Sequence, residues 1–242
     1  MKKYSSLLHA ALGAILIFTF QSPVRAVLVQ DFSDIAMWAG SGTNRSAVVL
    51  QWNDGQSPVS LAWGFQWDGL ATGFDMLTAV AGSTIVIDGP EGAPTSYSGL
   101  DSRLTLTLGY SAGFGYSVRS IVFLDGAETR NNTGWEDAYW GYSLFGGDFE
   151  YYDWETEEIA DYSVSGSEDY ADVDWFSAPI GFSTRDLVDG AWDSWSFSDP
   201  TFFVPATEQP TAAVPEPGTF LLVSLGTVAV VVLRRRRLSN RS

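Results

Sequence analysis

The densest chemistry in this 242-residue chain lies between residues 148 and 174. Eleven carboxylates fall there, Asp148, Glu150, Asp153, Glu155, Glu157, Glu158, Asp161, Glu168, Asp169, Asp172 and Asp174, with no basic residue among them. Tyr151, Tyr152, Trp154, Tyr162 and Tyr170 are interleaved with them. Oxygen donors at this density suit Ca²⁺, which takes six to eight oxygens. The candidate ligands are two spaced pairs, Glu168 with Asp169 and Asp172 with Asp174; calcium is the one cofactor left open. No EF-hand loop and no glycine-aspartate nonapeptide repeat accompanies them. The simpler reading is preferred: a solvated acidic loop or edge strand that discourages aggregation. Two carboxylates roughly 5–9.5 Å apart also suffice for glycoside hydrolysis, but the spacing singles out no catalytic couple.

Aromatic side chains offer a second chemistry, stacking on sugar faces with a carboxylate or amide beside the ring. All ten tryptophans lie after residue 26. The places to look are Trp135-Glu136-Asp137, Tyr139-Trp140 and Trp192-Asp193-Ser194-Trp195, which make Trp135, Trp140, Trp192 and Trp195 the candidate sugar-binding residues. The competing expectation for each is a place in a β-rich core, since these residues alternate as buried strand positions do.

What is missing narrows the chemistry further. The only histidine is His9, the only lysines are Lys2 and Lys3, and there is no cysteine. Residues 27–214 therefore hold no Ser-His-Asp or Cys-His catalytic set, no His/Cys zinc site, no Schiff-base lysine, no P-loop and no disulfide. Their five arginines, Arg45, Arg103, Arg119, Arg130 and Arg185, face 28 carboxylates, a net charge of −23. Such a surface repels nucleic acid and anionic lipid. No enzymatic activity is expected.

The elements that would position these groups are mostly strands. Residues 45–52 and 59–67 alternate with a period of two, with Val59, Leu61, Trp63, Phe65 and Trp67 on one face. Asn53-Asp54-Gly55 between them marks a hairpin turn. Thr72 with Asp75 forms a capping box that predicts a short helix over 72–81, facing inward through Phe74, Met76, Leu77 and Val80. Further strands are expected near 84–88, 103–110, 116–124, 138–145, 173–178, 192–198 and 201–204, punctuated by Asp-Gly turns. The acidic stretch reads as a long insert. The fold class expected is α+β, mainly antiparallel β with one short helix, β-grasp-like or sandwich-like, over 27–204, followed by a Pro/Thr/Ala spacer at 205–214.

The two ends carry addresses. Lys2 and Lys3, the apolar run Leu7–Phe20 and Val24-Arg25-Ala26 have the three parts of a signal peptide spanning 1–26, with cleavage after Ala26. This implies the Sec translocon and signal peptidase as partners. At the other end, over 215–242, Pro215-Glu216-Pro217 precedes an apolar transmembrane helix expected at 218–233 and then Arg234, Arg235, Arg236 and Arg237. Sixteen residues span about 24 Å, short for a core of about 30 Å, so the helix reads as a temporary inner-membrane anchor, its arginines held on the cytoplasmic side.

Those last thirty residues resemble the PEP-CTERM sorting signal of Gram-negative bacteria that make exopolysaccharide. The resemblance implies processing by exosortase near Pro215-Glu216-Pro217, and a destination at the cell surface or in the biofilm matrix. The strand ending at Trp67, the helix Thr72–Leu77, the strand Val118–Leu124 with Asp125-Gly126, and Leu187-Val188-Asp189-Gly190 are similar to the small secreted domains related to the transcobalamin C-terminal domain. Cobalamin binding is not inferred from that likeness. The function expected is an exported, non-enzymatic surface or matrix protein; the alternatives are a polysaccharide- or calcium-binding module and a carboxylate-based glycosidase.

Overall fold

Strand β2 (Asn44–Gln51) and strand β3 (Ser60–Trp67) pair antiparallel along their whole length, from Asn44 opposite Trp67 to Gln51 opposite Ser60. This is the hairpin expected from the period-two pattern. A computed structural model describes residues 27–53, 56–57, 60–89, 94–112, 115–125, 128–133, 139–198, 206 and 208–215. The expected signal peptide, transmembrane helix and strand 201–204 lie outside the described residues, as do Trp135 and Asp54-Gly55. Among the described residues no helix is long and apolar enough to cross a membrane.

Around this hairpin a mixed sheet assembles. Strand β1 (Trp38–Gly40) runs parallel to β3 on its outer edge. On the other side β13 (Ala191–Ser198) runs parallel to β2, and β9 (Tyr139–Phe145) antiparallel to β13. The short β12 (Phe176–Ser177) closes that side. A second sheet holds β4 (Ala81–Val86), β5 (Thr95–Tyr97), β6 (Asp101–Ser111), β7 (Gly115–Asp125) and β8 (Glu128–Thr133) in the order β5-β4-β6-β7-β8. Its β4–β6 pair is parallel and the rest are antiparallel. A two-stranded hairpin, β10 (Gly147–Asp153) with β11 (Glu158–Val164), stands as a third. Of the two architectures expected, the sandwich-like one describes the pair of sheets that share a core.

Helix α1 (Gly73–Val80) links β3 to β4. The Thr72 hydroxyl accepts from the Asp75 N–H while the Asp75 carboxylate accepts from the Thr72 N–H at 2.9 Å, so the capping box forms as read. Met76, Leu77 and Val80 are buried, and Phe74 packs partly against the same core.

The large sheet is buried on both faces. Val48, Leu50, Leu61 and Trp63 point toward Leu104, Leu106, Leu108, Ile121 and Phe123 of the second sheet. On the reverse face Ala47, Val49, Ala62 and Trp192 are covered by Val29, Phe32 and Ile35 from the first described segment and by Ala206 and Ala212 from the last. Trp52, Trp63, Trp192 and Trp195 are all less than 2 % exposed. Each ring removes about 150–250 Å² from water, so at about 25 cal/mol/Å² these indoles supply several kcal/mol apiece. Close approach fixes Gly64 beneath Trp38, where an added Cβ would sit 2.2 Å from the indole.

The segment expected to be a spacer is instead part of this fold. Strand β14 (Thr211–Ala212) pairs parallel with Leu61 and Ala62 of β3, and Ala206, Ala212 and Ala213 are buried. Its backbone extends the sheet along β3, and pairing spares its buried N–H groups the cost of going unpartnered. The compact unit accordingly runs from Ala26 to Val214.

A buried carboxylate ties the two sheets together. Asp101, buried at the start of β6, accepts from Trp63 Nε1 at 2.9 Å and takes a two-point contact from Arg103, Nε to Oδ1 at 2.9 Å and Nη2 to Oδ2 at 2.7 Å. Burial pushes its carboxyl up, but the Arg103 and Trp63 hydrogen bonds with the arginine's charge outweigh this and hold it below the usual range. A carboxylate lowered by folding stabilises the protein above its unfolded pKa, and that contribution is lost as pH falls through the folded value. Asp101→Asn should therefore cost about 1–3 kcal/mol at pH 7. The deficit should shrink as denaturant melts are carried from pH 5 downward, and a deficit independent of pH would contradict the ionic assignment.

Candidate functional site

Three of the four candidate tryptophans are structural. Trp192 is fully buried, with Phe32 at 5.0 Å and Tyr170 at 5.3 Å between ring centroids, and its Nε1 donates to Ser167 O at 2.8 Å. Trp195 is 1 % exposed and stacks on Tyr142 at 4.7 Å. Trp140 is 8 % exposed, packs on Trp52 and Phe197, and donates to Asn132 O at 3.1 Å. All three are buried, so none presents an open ring at the surface for sugar stacking; Trp140 and Trp195 border the cavity described below. The physical reason is the double burial of the sheet: β13 lies between β2 and β9, so its side chains meet protein on both sides. Trp135 lies outside the described residues.

The candidate calcium ligands are occupied separately and do not converge. Glu168 pairs with Arg45. Asp169 accepts from the Ala171 N–H at 2.9 Å and caps the short turn Tyr170–Asp172. Asp172 accepts from Ser167 Oγ at 2.7 Å, and Asp174 is exposed. Among the described residues no three acidic side chains are grouped to hold a metal ion.

Of the two structures considered for the acidic stretch, loop or edge strand, residues 147–153 and 158–164 are strands, paired as a hairpin. Phe149, Tyr151 and Tyr162 face inward, the latter two on Phe176 at 5.4 and 4.8 Å. On the outward face Asp148 lies opposite Ser163, Glu150 opposite Asp161, and Tyr152 opposite Ile159. At the four-residue connection Trp154 is 83 % exposed, with Tyr152 edge-on to it at 4.7 Å and Ile159 65 % exposed. The Asp153 carboxyl beneath it accepts from the Glu155 N–H at 2.8 Å, which holds it below its ordinary range. Trp154 was absent from the candidates; its exposure comes from its place in the turn after β10, which strand alternation does not encode.

A cavity of about 340 Å³ opens beside β7 and β9, walled by Tyr116, Val118, Tyr139, Tyr142, Phe182 and Trp195 among others. None of its lining residues is charged. Behind the Tyr142 ring lies a buried ion pair. Asp193 occupies a position of β13 between Ala191 and Trp195, on the face that strand alternation gives to the core. Arg185 Nε approaches Asp193 Oδ1 at 2.7 Å, both side chains fully buried, and Tyr142 donates its hydroxyl to Asp193 Oδ2 at 2.9 Å. Arg185 Nη2 donates to Phe145 O at 3.0 Å and Gly146 O at 2.7 Å, while Nη1 has no hydrogen-bond partner. Nε and Oδ1 are in full charge contact without the alignment of a hydrogen bond. Burial pushes the Asp193 carboxyl up, opposed by Arg185 and Tyr142. Burial, and then the Asp193 charge, raises the Tyr142 hydroxyl well above its ordinary range. Both side chains of the ion pair are fully buried, and the carboxylate is held by Arg185 on one oxygen and Tyr142 on the other.

Residues 213–237 match the family model of the PEP-CTERM protein-sorting motif. No curated protein and no solved structure matches the chain. The likeness to transcobalamin-related domains therefore has no support from these comparisons. The sorting motif marks the chain as an exported protein, held at the membrane before processing, with exosortase as the processing partner. Of its expected recognition residues, Pro215 is described; Glu216, Pro217 and Arg234 to Arg237 lie outside the described residues.

Arg185→Met should destabilise the protein by about 3–5 kcal/mol in urea melts, because it strands a buried carboxylate. The double variant Arg185→Met with Asp193→Leu should recover most of that loss. A double variant no better than the single one would show that the pair's hydrogen bonds to the β9 carbonyls, and not its charge, carry the stability.

Proposed function

We propose that this chain is a non-enzymatic surface or matrix protein, delivered through the Sec translocon, freed by signal peptidase after Ala26, and released from the inner membrane or transferred onward by exosortase. The match over residues 213–237 carries this reading. The composition of the body supports the non-enzymatic part: it has no His, Lys or Cys, the aromatic cavity is lined by no charged residue, and the Arg185–Asp193 pair is fully buried. Replacing Pro215, Glu216 and Pro217 by alanine in a host with exosortase should leave a full-length, membrane-bound precursor on immunoblots of fractionated cells. Unchanged processing would refute the sorting assignment.

A second reading, polysaccharide binding, is favoured by a site other than the ones first considered. Trp154 presents an open indole face, Tyr152 and Ile159 extend it, and Glu150 and Asp161 beyond can accept from sugar hydroxyls. Open rings stack on the apolar face of a pyranose, and carboxylates fix its orientation. On a glycan array the body should retain a polysaccharide that Trp154→Ala loses by tenfold or more, with the melting temperature unchanged. Equal retention by the variant would rule the hairpin out.

A further inference from the structure

The first residues of the body and those preceding the sorting motif form one strand pair. Val29 N donates to Pro210 O at 2.8 Å, and Ala212 N donates to Val27 O at 2.8 Å. These two bonds flank Leu28 and Thr211, which face each other as an antiparallel pair without hydrogen bonds of their own. Gln209 Nε2 donates to Val29 O at 3.0 Å, and Glu208 N donates to Gln51 Oε1 at 3.1 Å. On its other side the segment lies along β3: Thr211 and Ala212 are in register with Leu61 and Ala62, and Ala213 N donates to Ala62 O at 3.0 Å. Val29 is fully buried, and Ala212 and Ala213 are 2 % and 1 % exposed. The motif match begins at Ala213, so its first residue is already a member of the sheet.

We infer that this arrangement is a clamp: the body's own first residues hold 210–213 against β3 and stay closed while the sorting segment is processed. An enzyme that takes an extended peptide by strand pairing needs free backbone donors and acceptors. The N–H groups of Ala212 and Ala213 are spent on Val27 and Ala62, and freeing them would leave the partner carbonyls unpaired as well. Pro215 has no N–H to enter a further ladder position, so the sheet ends where the recognised tripeptide begins. The processing enzyme then acts on the chain beyond Ala213 without opening the sheet. The clamp rests on the sorting assignment above.

The chain contains no cysteine, which makes the test clean. Facing residues of a non-hydrogen-bonded antiparallel pair have Cα atoms about 4.5 Å apart, within reach of a disulfide. Leu28→Cys with Thr211→Cys should oxidise to a single intramolecular cross-link in the exported chain, seen as a reduction-sensitive gel shift. The locked chain should be processed at the wild-type rate, to the same mature C-terminus by mass spectrometry. Failure of the two cysteines to join in the folded chain would overturn the pairing. Accumulation of locked precursor, while a Leu28→Ser/Thr211→Ser twin is processed, would overturn the closed clamp. A wild-type chain left unprocessed in the same host would overturn the sorting assignment beneath it, so the two failures are distinguishable.

Discussion

A charge in the wrong place organises this fold. Asp193 stands on the core-facing side of β13, where alternation asks for an apolar residue, and an isolated carboxylate there would be prohibitive. Arg185 answers it, and in doing so must itself be satisfied. Its guanidinium reaches the carbonyls of Phe145 and Gly146 at the bend from β9 into β10, and its own carbonyl accepts from the Gly73 N–H at 3.1 Å at the start of α1. Tyr142 is drawn in from β9. Gly73 is held small from two sides, since a Cβ there would lie 2.8 Å from both Asp193 Oδ2 and the Phe182 carbonyl oxygen. The central strand, its neighbour, the helix start and the root of the acidic hairpin thus share one electrostatic requirement. Apolar packing would stabilise as well; a buried pair adds the condition that only one mutual arrangement of these elements satisfies it.

With that centre fixed, the tryptophans divide by location. Those on the large sheet are consumed by two cores, because the sheet is covered on one face by β4–β8 and on the other by the first and last described segments. The hairpin β10–β11 belongs to neither core. Its inner aromatic row packs on Phe176, its outer row is free to carry charge, and at its tip Trp154 is the one widely exposed indole among the described residues.

Much of the local structure was legible in the sequence and little of the long-range structure was. The period of two at 59–67 and the reciprocal capping pair Thr72/Asp75 are complete local instructions, and both appear as read. Strand β8 was missed because Glu-Thr-Arg-Asn-Asn-Thr has no apolar alternation; its place depends on β7. The hairpin was taken for an insert because eleven carboxylates outweighed the alternation of Phe149 and Tyr151. The stretch 205–214 looked like a spacer on composition, yet its backbone extends the sheet along β3. Parallel pairings such as β13 with β2 join residues about 145 apart in sequence, and no local pattern encodes them. Nor does any pattern reveal that Asp193 faces inward, since Trp192-Asp193-Ser194-Trp195 reads equally well with its carboxylate in water.

The adjoining ends of the body have a mechanical consequence. In the antiparallel pair of Val27–Val29 with Pro210–Ala212, the chain start and the tail depart from the same end. Tension between them would load the Ala212–Val27 bond first and the Val29–Pro210 bond afterwards, peeling the strands in sequence instead of shearing them together. Peeling fails at low force and re-forms readily when the load is removed. A protein tethered by this tail would yield at its edge under a pull, as a fuse does, before the tension reached the ion pair at its centre.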